Sequence, residues 1–307
     1  MMLQMLPMLA FAEDALGIGE VRNKRTSTKY TSLVKAVEEA QSGDTIELGE
    51  GNYTLYKVDS IGRTKGKDLT FVGQGTDKTA WNIGALVPDP ANFGTEYNGD
   101  YSFDGAGTVT FKNMTLRSGD ANYLGFIRAN NTVVDHCVIN GKTFYWGYQS
   151  AEFINTTFNA PSGDYAIWTY SSPIMTFDNC TFNATGKVIN VYTDYSAGKH
   201  DITVNFNNCT VNSIPSFFAR KQALNINDSN MAGYRYIIHI NNSQTTTADP
   251  DKIDLDKTTC SRMFGFGGKK DNNTGRTQVY WNDELVWNDG VKLTHSYTDG
   301  EHDKAFT

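Results

Sequence analysis

Phe177-Asp178-Asn179-Cys180-Thr181-Phe182 is the stretch on which the fold turns, because the chain keeps repeating it. Earlier copies are Phe111-Lys112-Asn113-Met114-Thr115-Leu116, Val134-Asp135-His136-Cys137-Val138-Ile139 and Phe153-Ile154-Asn155-Thr156-Thr157-Phe158. Later ones are Phe206-Asn207-Asn208-Cys209-Thr210-Val211, a weaker Ile226-Asn227-Asp228-Ser229-Asn230-Met231, and an echo at Ile240-Asn241-Asn242-Ser243. From Phe111 to Ile226 successive copies start roughly 19 to 29 residues apart, the period of a solenoid coil. Apolar residues bracket each copy and must face a core. The asparagine between them suits a bend, because it tolerates left-handed backbone and hydrogen-bonds locally. Stacked coil on coil, Asn113, His136, Asn155, Asn179 and Asn208 are expected to form a ladder inside that bend, with His136 in an asparagine slot. The next position (Met114, Cys137, Thr156, Cys180, Cys209, Ser229) reads as one internal column.

That register bears on two other motifs. Cys137, Cys180 and Cys209 share the column, so buried thiols are the simpler reading than metal ligands or disulfides. A disulfide between adjacent coils stays open in an oxidising compartment, and Cys260 has no evident partner. Asn-x-Ser/Thr sequons at Asn113, Asn155, Asn179 and Asn208 fall on the ladder. A glycan is not expected to fit there, so they read as by-products of the repeat.

Upstream, Leu33, Ala36, Val37 and Ala40 recur at helical spacing after an N-cap at Thr31 or Ser32. Such a helix would cover the open end of the stack. Gly43 to Leu48, Gly51 to Leu55 and Asp68 to Gly75 then read as turn and strand. The stretches Ala40-Gln41-Ser42-Gly43-Asp44-Thr45-Ile46, Gly51-Asn52-Tyr53 and Phe71-Val72-Gly73-Gln74-Gly75 resemble the entry module of the pectate-lyase-like superfamily, and the Asn-Cys-Thr coils resemble its repeats. The resemblance covers about residues 29 to 245. It implies an all-β, right-handed, single-stranded parallel β-helix with an N-terminal capping helix. Lyases, hydrolases, epimerases, tailspikes and bacterial adhesins share that fold, so it names no activity.

Composition narrows the classes. The net charge of −7 and the lack of a basic stripe argue against nucleic-acid binding; Arg22, Lys24 and Arg25 read as a short solvated linker. No apolar run reaches membrane-spanning length. Met1 to Ala12, ending Ala10-Phe11-Ala12 before Glu13-Asp14, reads as a shortened export signal, and Pro7 opposes a buried helix there. The expected organisation is signal remnant 1–12, linker 13–28, β-helix 29–245, and C-terminal coils or a cap over 246–307, continuing into further domains if the chain is a piece of a longer one. Arg276 to Trp287 reads as two strands joined at Asn282-Asp283.

Catalytic signals are sparse. As a family, pectate lyases hold calcium with acidic residues and abstract a proton with arginine. Asp135-His136 resembles the Asp-His pair of their signature, but Val133-Val134 stands where a tryptophan is expected. Asp164, Asp194 and Arg220 lie at comparable places in neighbouring coils and are the weak catalytic candidates; the plainer reading is solvated turns. No metal site is read, and calcium enters only if the protein is a lyase. No nucleophile elbow and no phosphate loop is present, and Gly265 to Lys270 reads as a turn. The aromatic residues Tyr145, Trp168, Tyr170, Tyr192 and Tyr195 recur from coil to coil after the repeat. Strand alternation sends about half of such residues inward. Any others would line a flank suited to stacking on sugar rings. The expectation is a secreted or cell-surface protein that binds polysaccharide or host glycan, adhesin-like, without catalysis. The alternatives are a polysaccharide lyase or other carbohydrate-active enzyme, and a structural spacer.

Overall fold

A computed structural model describes residues 15–54, 63–82, 103, 105–117, 127–141, 147–159, 167–170, 174–184, 189–192, 202–213, 236–245, 277–288, 293–296 and 303–306. In chain order, β1 (Val21–Asn23) and β2 (Thr28–Tyr30) form a hairpin, followed by α1 (Leu33–Glu39), β3 (Asp44–Leu48) and β4 (Gly51–Thr54). Then come β5 (Leu69–Val72), β6 (Thr79–Asn82), β7 (Thr108–Lys112), β8 (Thr115–Arg117), β9 (Asn131–Asp135) and β10 (Val138–Asn140). The middle holds β11 (Ser150–Ile154), β12 (Thr157–Asn159), β13 (Ile167–Tyr170), β14 (Ile174–Asp178), β15 (Thr181–Ala184) and β16 (Ile189–Tyr192). The last are β17 (Ile202–Asn207), β18 (Thr210–Ser213), β19 (Tyr236–Asn241), β20 (Gln244–Thr245), β21 (Thr277–Trp281), β22 (Glu284–Asn288), β23 (Leu293–Ser296) and β24 (Asp303–Phe306).

Two long sheets take turns along the chain. The larger runs β2-β1-β3-β5-β7-β9-β11-β14-β17-β19-β21-β22, and the second runs β20-β18-β15-β12-β10-β8-β6-β4. From β3 to β21 every neighbour in the larger sheet is parallel. Each repeat therefore contributes one strand to each sheet, and the regular rungs are consistent with a β-solenoid. Because β17 pairs directly with β19, no rung intervenes between the copies at 206 and 240; the weak copy at Ile226–Met231 lies outside the described residues. The last echo forms a full corner, with Asn242 at φ 48°.

Strand alternation builds the core. In β7, β9, β11 and β14 every second residue is buried, as a sheet with one covered face requires. The register stacks Phe71, Phe111, Val134, Phe153, Phe177, Phe206 and Ile240 in one inward column. The rings of Phe153 and Phe177 stack at 4.8 Å and 9°, and those of Phe177 and Phe206 at 5.0 Å and 15°. Phe158 and Phe182 repeat this in the second sheet, at 4.8 Å and 10°.

Three expectations need amendment. The ladder residues do adopt left-handed backbone, with φ between 48° and 55° at Asn113, His136, Asn155, Asn179 and Asn208. Yet the column lies outside the bend: only Asn155 is half-buried, and the others are exposed. At such a corner the left-handed residue turns its Cβ outward, and the compact residue after it faces the core. Secondly, the linker assigned to 13–28 contains β1 and the start of β2. Together with α1, whose Ser32 Oγ caps Lys35 N, this antiparallel hairpin closes the N-terminal edge of the larger sheet. Thirdly, Arg22 and Arg25 are not a solvated run. Arg22 pairs with Glu47 and Arg25 with the buried Asp44.

Candidate functional site

The corner explains the cysteine column. Cys137 Sγ donates to Phe111 O at 3.6 Å and Asp135 O at 3.4 Å. Cys180 does so to Phe153 O and Asp178 O, and Cys209 to Phe177 O and Asn207 O. Thr156 and Ser243 make the same pair of bonds, Thr156 to Val134 O and Ile154 O, Ser243 to Phe206 O and Asn241 O. These side chains add a second bond to corner carbonyls that already accept a backbone N–H, Asp135 O from Asn113 N and Asp178 O from Asn155 N, using the second acceptor site of the carbonyl. Met114 fills the same buried place without a donor. Cys137, Cys180 and Cys209 are buried free thiols. Burial pushes Cys137 up to about 12, so it is a poor nucleophile or metal ligand at neutral pH. Cys260 lies outside the described residues.

A charged cluster of Lys112, Asp135 and His136 lies on the corner surface. Asp135 Oδ1 lies 2.5 Å from His136 Nδ1, and Asp135 Oδ2 accepts from Lys112 Nζ at 3.1 Å. Partial burial pushes the Asp135 carboxyl up, but its bonds to His136 and Lys112 outweigh that and hold it below its ordinary range. His136, whose side chain is 59% exposed, therefore turns to Asp135, whereas Asn179 Nδ2 reaches Asn155 Oδ1 at 2.5 Å. With Asn113, Asn179 and Asn208 exposed, burial is no reason for a glycan not to fit at their sequons.

Of the aromatic candidates, Trp168 and Tyr170 fall in β13 and Tyr192 in β16. These two strands pair in parallel, setting Trp168 beside Asn190 and Tyr170 beside Tyr192. Alternation along a strand then assigns all three aromatic positions to one face of the pair, with Ile167, Ile189 and Val191 on the other. Tyr145, Tyr195, Asp164, Asp194 and Arg220 lie outside the described residues.

One surface feature went unread in the sequence. Asn159 Nδ2 donates to Asn140 Oδ1, Asn183 Nδ2 to Asn159 Oδ1 and Asn212 Nδ2 to Asn183 Oδ1, each at 2.8 Å. These residues stand in register on the outer face of the second sheet. Their signal was the asparagine recurring two residues after each post-corner threonine or valine, in Val138-Ile139-Asn140, Thr157-Phe158-Asn159, Thr181-Phe182-Asn183 and Thr210-Val211-Asn212.

Near the N-terminus a cavity of about 210 Å³ is lined by Leu16, Arg22, Glu47, Val72 and Gln74 among others. Its two charged groups bind each other, Arg22 Nε to Glu47 Oε2 at 2.7 Å. Among the described residues no three His, Cys, Asp or Glu side chains gather as metal ligands, and no helix is long and apolar enough to cross a membrane. No family model, no curated protein and no solved structure matches this chain.

Proposed function

We propose that this chain is a secreted or cell-surface, right-handed parallel β-helix of the pectate-lyase-like kind that binds polysaccharide or host glycan without transforming it. The supporting observation is the register of β13 and β16, which brings Trp168, Tyr170 and Tyr192 onto one face across successive rungs. Rung spacing of about 4.8 Å suits aromatic rings that follow consecutive sugar units. A non-catalytic role is favoured by the state of Asp135: Lys112 and His136 already occupy both of its oxygens, which leaves it poorly placed to serve calcium.

The test is retention of the purified chain on immobilised pectins and host glycans, with unsaturated-sugar release followed with and without calcium. The Trp168→Ala/Tyr192→Ala double variant should lose at least tenfold in retention while keeping its far-UV spectrum. Undiminished retention would remove the aromatic flank from the proposal. Calcium-dependent product release would replace binding with a polysaccharide lyase and direct attention to Asp164, Asp194 and Arg220. Neither retention nor release would leave a spacer.

A further inference from the structure

The outer face of the second sheet is laid out as a lattice of hydroxyls and amides. Thr157, Thr181 and Thr210 are in register along one column, and Asn159, Asn183 and Asn212 along the next. The columns stand about 6.7 Å apart and successive rungs about 4.8 Å apart. Within the ladder Asn159 and Asn183 each commit one N–H and one acceptor site to their neighbours. A carboxamide has two donors and two acceptor sites. Each of these amides thus keeps a donor and an acceptor for an outside molecule, held in place by the rungs above and below. Preset orientation lowers the ordering cost of binding.

The chemistry of the face selects its ligand. The described large hydrophobic residues that are exposed, Ile18 and Ile174, lie elsewhere, so the apolar anchor of a typical protein interface is not on this face. Amide and threonine columns carry no charge to attract phosphate or lipid headgroups. Among the described residues of this sheet the single cation is Arg117, in register with Asn140. Its Nε donates to Asn82 Oδ1 at 3.0 Å and its Nη2 to Asn52 Oδ1 at 2.6 Å. Two neutral amides fix the guanidinium, and no carboxylate among the described residues neutralises it. We propose that this face is a binding platform for an extended acidic polysaccharide, laid along the stack of rungs, with the Asn140, Asn159 and Asn183 amides bonding sugar hydroxyls and Arg117 taking a uronate carboxylate. The inference rests on the glycan-binding reading above but places a second line of contact on a different sheet.

Binding of polygalacturonate to the full chain, measured by affinity electrophoresis with calcium chelated, tests it. Arg117→Gln and, separately, Thr181→Glu should each weaken binding at least tenfold with unchanged far-UV spectra. Thr181→Glu leaves every ladder bond in place and sets a negative charge on the platform. Binding by both variants within threefold of the parent overturns the platform. If only the Trp168→Ala/Tyr192→Ala variant loses binding, the platform falls and the glycan reading stands. If the parent binds neutral glycans but not polygalacturonate, the platform as an acidic-sugar site also falls. If the parent binds no glycan at all, both readings fall together.

Discussion

At the corner, backbone and side chain make separable contributions. Asn179 sits at φ 54°, a region in which an ordinary side chain costs about 1–2 kcal/mol and glycine almost nothing. Its amide also bonds Asn155. Asn179→Leu should therefore destabilise the fold by about 1–2 kcal/mol and Asn179→Gly by less than half of that, as read from urea unfolding. Equal losses would assign the whole effect to the amide bond. Thr132 makes the opposite case. It stands between Val109 and Ala151 in an inward apolar column, 1% exposed, and its Oγ1 has no partner. Thr132→Val keeps the shape and removes a stranded polar atom, so it should raise stability by about 1 kcal/mol. A loss in the same measurement would show that the hydroxyl is served by water.

Among the elements, the N-terminal hairpin is tied to the stack by one buried carboxylate. Asp44 receives Arg25 Nε at 2.5 Å, Asn23 Nδ2 at 2.6 Å and Gln41 N at 2.9 Å. The Arg25 bond leads in holding its carboxyl down at about 2, against the opposing effect of burial. A folded value below the ordinary 3.8 means that the unfolded chain binds the proton more readily. The stabilisation is thus complete above about pH 4 and is lost as pH falls through about 2. Its size is at most about 2 kcal/mol, since half-exposed Arg25 is screened by solvent. Melting curves between pH 5 and 2 should show this loss for the parent and a flatter profile, starting lower, for Asp44→Asn. Parallel profiles would mean that Asp44 does not link the hairpin to acid stability.

For the whole molecule, stacking makes stability local along the axis. Each rung touches only its neighbours, so damage should spread by nearest-neighbour coupling. Phe177 packs against Phe153 below and Phe206 above, and Phe177→Ala should cost about 3–5 kcal/mol. In hydrogen exchange the loss of protection should centre on β11, β14 and β17 and leave β3 and β5 near their parent values. Uniform loss across the larger sheet would instead mark one cooperative unit.

Much of this was legible because solenoid physics is local and repeats. The apolar residues bracketing each copy identified the inward phenylalanines, the recurring asparagine identified the left-handed corner, and Leu33, Ala36 and Val37 identified the helix. Sequence also placed the three cysteines in one buried column. What sequence alone could not assign was direction across the bend. A single left-handed residue reverses which side faces the core, so the ladder and its sequons lie outside and the compact column inside. It could not reveal that Arg25, 19 residues from Asp44, folds back to neutralise a buried charge, because that pairing depends on the antiparallel turn of β1 against β3. Nor could it join Asn140, Asn159, Asn183 and Asn212 into one surface line. Their side chains meet only when successive rungs stack in register, and register across coils of unequal length is set by core packing between the sheets, through contacts distant in the chain.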